Sequence, residues 1–137
     1  MKNTSLTHDY ITRAGHRLAA LELLYERASY ADVVREAQEM VELCLKALLR
    51  ASRIEVPRTH EVGDILLEFS DQLPPDVKPH APNLAKISKS MRRDRELAFY
   101  GTEDLTPSDF YQEPDAKQAL EGARWVYSIC RDALIKS

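Results

Sequence analysis

Five basic side chains crowd into ten residues, Lys86, Lys89, Arg92, Arg93 and Arg95, in the stretch KISKSMRRDR. On a helix, Lys86, Lys89 and Arg93 share one face at steps of three and four, and Arg92 and Arg95 share another. Such a face neutralises phosphates, and an arginine fork can hold one through two parallel hydrogen bonds. The plain alternative is a solvated helix face, which charge runs commonly are. The neighbourhood distinguishes this run. Arg93 and Tyr100 stand two turns apart on one side of the same helix, and Asp94 falls where the apolar stripe would place a hydrocarbon. A carboxylate there is placed to hold the guanidinium of Arg93 or Arg95 and so to preorganise a site. Lys89, Arg93, Asp94, Arg95 and Tyr100 are therefore the candidate residues for binding RNA or a nucleotide.

Other chemistry is absent from the sequence. It has no glycine-rich phosphate loop, no nucleophile elbow and no cysteine pair at metal spacing. The four histidines, His8, His16, His60 and His80, never lie three or four apart, so no two share a helix face as metal ligands do. Neither a metal nor a cofactor is expected. Cys44 and Cys130 both fall on apolar helix faces, which predicts buried free thiols in a reducing cytoplasm. The formal net charge is −3, so the chain as a whole is no electrostatic nucleic-acid binder and any such role rests on the local basic patch. No apolar run reaches membrane-spanning length.

The elements that would position these residues are helices. The 137 residues, 44% hydrophobic and 30% charged with four glycines, fit one globular domain over 1–137. A first helix from Thr7, its expected cap, to Ala28 carries the stripe Ile11, Ala14, Leu18, Leu21, Tyr25 and Ala28. A second opens at a Ser29–Asp32 capping box and runs to about Ser52 with Val34, Ala37, Val41, Cys44, Leu45 and Leu48 inward. A third is capped by Thr59 and carries Val62, Ile65, Leu66, Phe69 and Leu73; prolines break the chain from Pro74 to Pro82. A fourth, Asn83 to Tyr100, carries the basic run and stops at Gly101. Thr102 to Glu113 reads as a loop. A fifth helix from Pro114 is apolar on one broad side, from Ala116 to Leu134. Short connections between helices predict an all-α, up-and-down bundle of about five helices. Trp125 lies off the main stripe of the last helix and is the candidate interface residue, whereas Tyr127 reads as core packing.

Two stretches then resemble the HEPN family of small helical-bundle domains. The first, Ala37 to Phe69, resembles the family's second helix with its Glu-x-x-x-Lys-Ala-Leu-Leu core, here Glu42, Lys46, Ala47, Leu48 and Leu49, followed by a loop and His60. The second is the fourth-helix motif Arg-x4-His-x-Tyr: Arg93 matches the arginine, Asp94 its polar neighbour and Tyr100 the tyrosine, but the histidine position holds Ala98. The resemblance implies a helical bundle and a homodimer. In members that cleave RNA, the motif Arg and His from two subunits build one site; an alanine cannot carry a proton. Small members of the family are often paired with a minimal nucleotidyltransferase, as in toxin–antitoxin modules, and in some pairs the motif tyrosine is the modified residue, which the resemblance places at Tyr100.

Three functions follow. The first is a non-catalytic domain that binds RNA, a nucleotide or a nucleotidyltransferase-type partner at the basic fourth helix. The second is a ribonuclease without the usual His, with Arg93 on the phosphate and Tyr100 or Asp94 moving the proton; it ranks lower because a tyrosine with a pKa of about 10 is a poor base at neutral pH. The third is a plain protein-interaction bundle.

Overall fold

The second helix, α2 (Tyr30–Ala51), is the axis of the molecule, because it is apolar on more than one side. Val33, Ala37, Met40, Val41, Cys44, Leu45, Ala47, Leu48 and Leu49 are all buried, so the helix must be covered by several neighbours. Those neighbours are α1 (Lys2–Glu26), α4 (Ala81–Tyr100) and α6 (Glu113–Ile135), with the short α3 (Val62–Glu68) against α4 and the one-turn α5 (Pro107–Phe110) between α4 and α6. The computed structural model describes residues 2–56, 61–100 and 106–135, with side chains described for 5–56, 61–92 and 106–135. Among the described residues there is no strand, and no helix is long and apolar enough to cross a membrane. The architecture is the all-α bundle that the helical periodicity predicts.

Several boundaries differ from expectation. Helix α1 begins at Lys2, and Thr7 is not its cap but an inward residue, 3% exposed, whose hydroxyl has no hydrogen-bond partner among the described residues. Ala28 is exposed beyond the helix end rather than part of the stripe, with a φ of 59°. There the Ser29 N–H donates to the Leu24 carbonyl at 2.9 Å and the Ala28 N–H to that of Tyr25 at 3.0 Å. This double closure satisfies carbonyls that the helix end would orphan and offsets the left-handed conformation of a non-glycine residue. The end of α2 repeats it: Arg53 has a φ of 61°, and the Ile54 N–H reaches the Leu49 carbonyl at 2.9 Å. At the start of α2, Ser29 donates its hydroxyl to the Asp32 carboxylate at 2.7 Å instead of accepting from the backbone.

Helix α3 is shorter than its stripe suggested. Phe69 stands at its C-terminal cap, and Leu73 is buried beyond it, after a 3₁₀ turn over Ser70–Gln72. The expected cap Thr59 and the stop Gly101 lie outside the described residues. The segment read as a loop contains α5, capped by Thr106, whose Oγ1 accepts from the Asp109 N–H at 3.3 Å.

Two contacts fix how α6 closes the bundle. The Tyr25 hydroxyl of α1 donates to the Glu113 carboxylate at the start of α6. That hydrogen bond, aided by partial burial, pushes the phenol up to about 12. The sign follows directly. Below the ordinary tyrosine pKa of about 10 the phenol is protonated whether the chain is folded or not, and the contact stabilises fully. From there to about 12 the unfolded chain gives up the proton while the folded one keeps it, so stability falls as pH rises. Tyr25→Phe is expected to flatten the dependence of the urea midpoint on pH over this window; an unchanged slope would show that the contact does not form.

Deeper in, Cys44 of α2 and Cys130 of α6 are both fully buried and free. Their mutual hydrogen bond, then burial, holds the Cys130 thiol well above the usual cysteine range. Because both sulfurs are sealed from solvent, neither is expected to react with an aromatic disulfide reagent in the native protein, and two per chain should react in denaturant. Rapid native-state labelling would contradict this packing.

Candidate functional site

Helix α4 follows directly on a 3₁₀ segment at Lys78–His80 and presents its residues in two directions. Ala81, Leu84, Ala85 and Met91 turn inward against the bundle. Lys89 turns toward α3, where its Nζ meets Asp64 Oδ1 at 2.5 Å. That hydrogen bond, and the charge behind it, raises the lysine above its ordinary pKa. Gly63 permits the approach: a Cβ there would sit 3.2 Å from the Lys89 Cγ and 3.1 Å from the Ala85 carbonyl oxygen. Lys89 is still 43% exposed, so the pair ties α3 to α4 only modestly.

Arg92 turns toward α2. Its guanidinium lies 3.7 Å from Glu42, which also faces Lys46 at 3.8 Å. Glu42 thus stands between two cations, one on its own helix and one on α4. The described part of the basic run is therefore partly neutralised by carboxylates from the two neighbouring helices. The side chains of Arg93, Asp94, Arg95 and Tyr100 lie outside those described; their backbone continues α4 to its end at Tyr100.

Lys86 is different. It lines a groove of about 540 Å³ between α4 and α6, walled by Asn83, Lys86, Ile87, Ser90 and Met91 on one side and Asp115, Gln118, Glu121, Gly122 and Trp125 on the other, with Val34, Ala119 and Tyr111 below. Gly122 lets α4 come close, since a Cβ there would lie 3.2 Å from Met91 Cε. Trp125 is half-buried and meets His80 edge to face, ring centroids 5.5 Å apart. Both Trp125 and Tyr127 pack against the core, and Tyr127 has the Arg131 guanidinium 5.7 Å from its ring centroid. Lys89 and Trp125 are thus not brought together: one faces α3, the other the groove. Among the described residues, no group of three or more His, Cys, Asp or Glu side chains is placed to hold a metal.

The family model for the HEPN domain matches residues 7–133, nearly the whole chain. The chain belongs to the HEPN family. No curated protein and no solved structure matches it.

The HEPN second-helix residues now have physical roles. Ala47, Leu48 and Leu49 are fully buried core, while Glu42 and Lys46 stand half-exposed and exposed on the side toward α4. His60 of the HEPN loop lies outside the described residues. The carboxylates Glu42 and Asp64 are neighbours of the basic run that sequence spacing does not reveal, because helix packing brings them to α4. The groove carried one legible signal, a glycine at position 122 inside a helix, which marks close approach of another element.

Proposed function

We propose that this HEPN domain is a non-catalytic homodimer that binds RNA or a nucleotide through the C-terminal half of α4. The observation that carries the reading is residue 98: the motif's proton-carrying histidine is replaced by alanine, while its arginine and tyrosine are kept at Arg93 and Tyr100. Alanine removes the proton transfer but not the phosphate binding. Arg93 and Arg95 hold phosphate oxygens, Asp94 orients them, and Lys89, shared with Asp64, adds positive potential at the edge. Glu42 and Asp64 hold α4 from α2 and α3 through Arg92 and Lys89. The family resemblance adds a partner, a minimal nucleotidyltransferase in a toxin–antitoxin-like pair, with Tyr100 as the residue it would modify.

The test is a binding titration with a structured RNA and with a nucleoside triphosphate at several salt concentrations. Affinity should fall steeply with salt, as expected when several phosphates are neutralised. Absence of binding to both at low salt would remove the reading. A second reading, a protein-interaction bundle, draws on the groove, whose apolar floor and charged rim resemble the anatomy of a protein interface.

A further inference from the structure

We infer that the groove between α4 and α6 is a binding site for a small organic cation of the arylalkyl ammonium class, its ring on the apolar floor beside Trp125 and its charge toward the carboxylates of Glu121 and Asp115. The inference does not depend on the RNA reading of the distal half of α4.

The spacing of α6 builds the wall. Asp115, Gln118, Gly122 and Trp125 recur at steps of three, four and three, which is one face of a helix. Glu121 lines the same wall one turn before Trp125, so its carboxylate and the indole are neighbours along the helix. Gly122 lowers the wall between them and lets Met91 of α4 close in behind. The indole is held in place: it is half-buried against the core and braced edge to face by His80. The floor is hydrocarbon, with buried Val34 and Ala119 and half-buried Ile87. A volume of about 540 Å³ falls among small-molecule sites, which span about 300–1,000 Å³. From Asp115 to Trp125 the wall runs about 15 Å at the rise of an α-helix, enough for one or two rings and a charged tail.

The charge of the ligand follows from the lining. Two carboxylates, Asp115 and Glu121, face one ammonium, Lys86, so the groove is net acidic. Among the described residues neither carboxylate forms an ion pair. Asp115 Oδ2 accepts from the Gln112 N–H at 2.9 Å, which fixes the carboxylate and leaves its second oxygen for a ligand. A cation gains from these carboxylates and from the face of an indole, the best aromatic partner for such a charge. Its apolar body gains from leaving water for the floor. A phosphate or carboxylate ligand meets the wrong sign.

The experiment titrates the full chain with phenylethylammonium, and with phenylethanol and phenylacetate as its neutral and anionic counterparts. Binding is followed by the fluorescence of Trp125, the single tryptophan, and by amide chemical shifts. The cation should bind saturably and about tenfold or more tighter than the alcohol, the anion should not bind, and the shifts should gather along 83–91 and 115–125. Asp115→Asn keeps the acceptor for the Gln112 N–H. Combined with Glu121→Gln, it should abolish most of the preference for cation over alcohol and leave the affinity for the alcohol unchanged, a pattern that unfolding does not produce. Lys86→Gln should strengthen the cation severalfold. Trp125→Leu, read by chemical shifts, should weaken both ligands. No saturable binding of the cation at millimolar concentration overturns the inference. So does equal affinity for cation and alcohol, a preference that survives the double variant, or shifts that fall outside the groove. RNA binding by the double variant should match wild type, so either reading can fail while the other stands.

Discussion

Leu48→Ala is expected to destabilise the protein by about 3 kcal/mol, within the range for truncating a fully buried leucine. Leu48 is completely inaccessible in the last turn of α2, the helix against which α1, α4 and α6 all pack. Its loss opens a cavity between elements that also hold one another, so little of it can relax away. A domain of this size is stable by only about 5–15 kcal/mol, so the change is a large share of the total. Urea denaturation should show a lower midpoint with an unchanged slope. A shift below about 1 kcal/mol would mean that α2 is not the central helix. The matching change at Leu23, which is 53% exposed on α1, should be nearly silent.

The second large effect concerns function. Exchanging Arg93 and Arg95 together for glutamate should weaken RNA binding by about a hundredfold or more and lower the salt dependence by about one phosphate contact for each arginine. Thermal stability should change little, because both residues belong to the basic run and neither to the apolar stripe. Lys89→Ala should do less to affinity, since that lysine already shares its charge with Asp64, but it should loosen α3. Equal effects from Lys89 and from the arginine pair would mean that the whole face contributes a general potential and that no local site exists.

The fold was legible because its signal is periodic. The stripe Val34, Ala37, Val41, Cys44, Leu45 and Leu48 is buried throughout α2, and the small and apolar residues of α6 from Ala116 to Cys130 follow suit. The errors came where the signal is local. Thr7 has a capping side chain, but the helix had already started at Lys2, and tertiary packing turned the hydroxyl inward. Ala28 continues the numerical pattern but follows the turn that ends α1. The turn α5 was readable in Thr106-Pro107-Ser108-Asp109, a threonine cap with an acid three residues on, the same pattern as Ser29 and Asp32; a short proline-containing stretch simply carries no hydrophobic period to draw attention to it.

The site was less legible, for a different reason. Sequence spacing groups Lys86, Lys89 and Arg93 on one face, yet the bundle sends Lys86 into the groove beside α6 and Lys89 to α3. Three residues on a helix spread over an arc, and neighbouring helices divide it. The partners of the described cations, Asp64 for Lys89 and Glu42 for Arg92, are distant in sequence and meet α4 only through packing. Trp125 was recognisable as off-stripe; it lines the groove while also packing against the edge of the core.

The most direct measurement incubates the purified chain with a structured RNA beside its Arg93→Ala variant and follows the RNA by denaturing and native gels. The account predicts intact RNA in every denaturing lane, and on the native gel a shifted complex with the wild type that is weakened in the variant. RNA cut by the wild type and spared by Arg93→Ala would contradict it, because the domain would then be an enzyme that moves its proton without the histidine that Ala98 replaces.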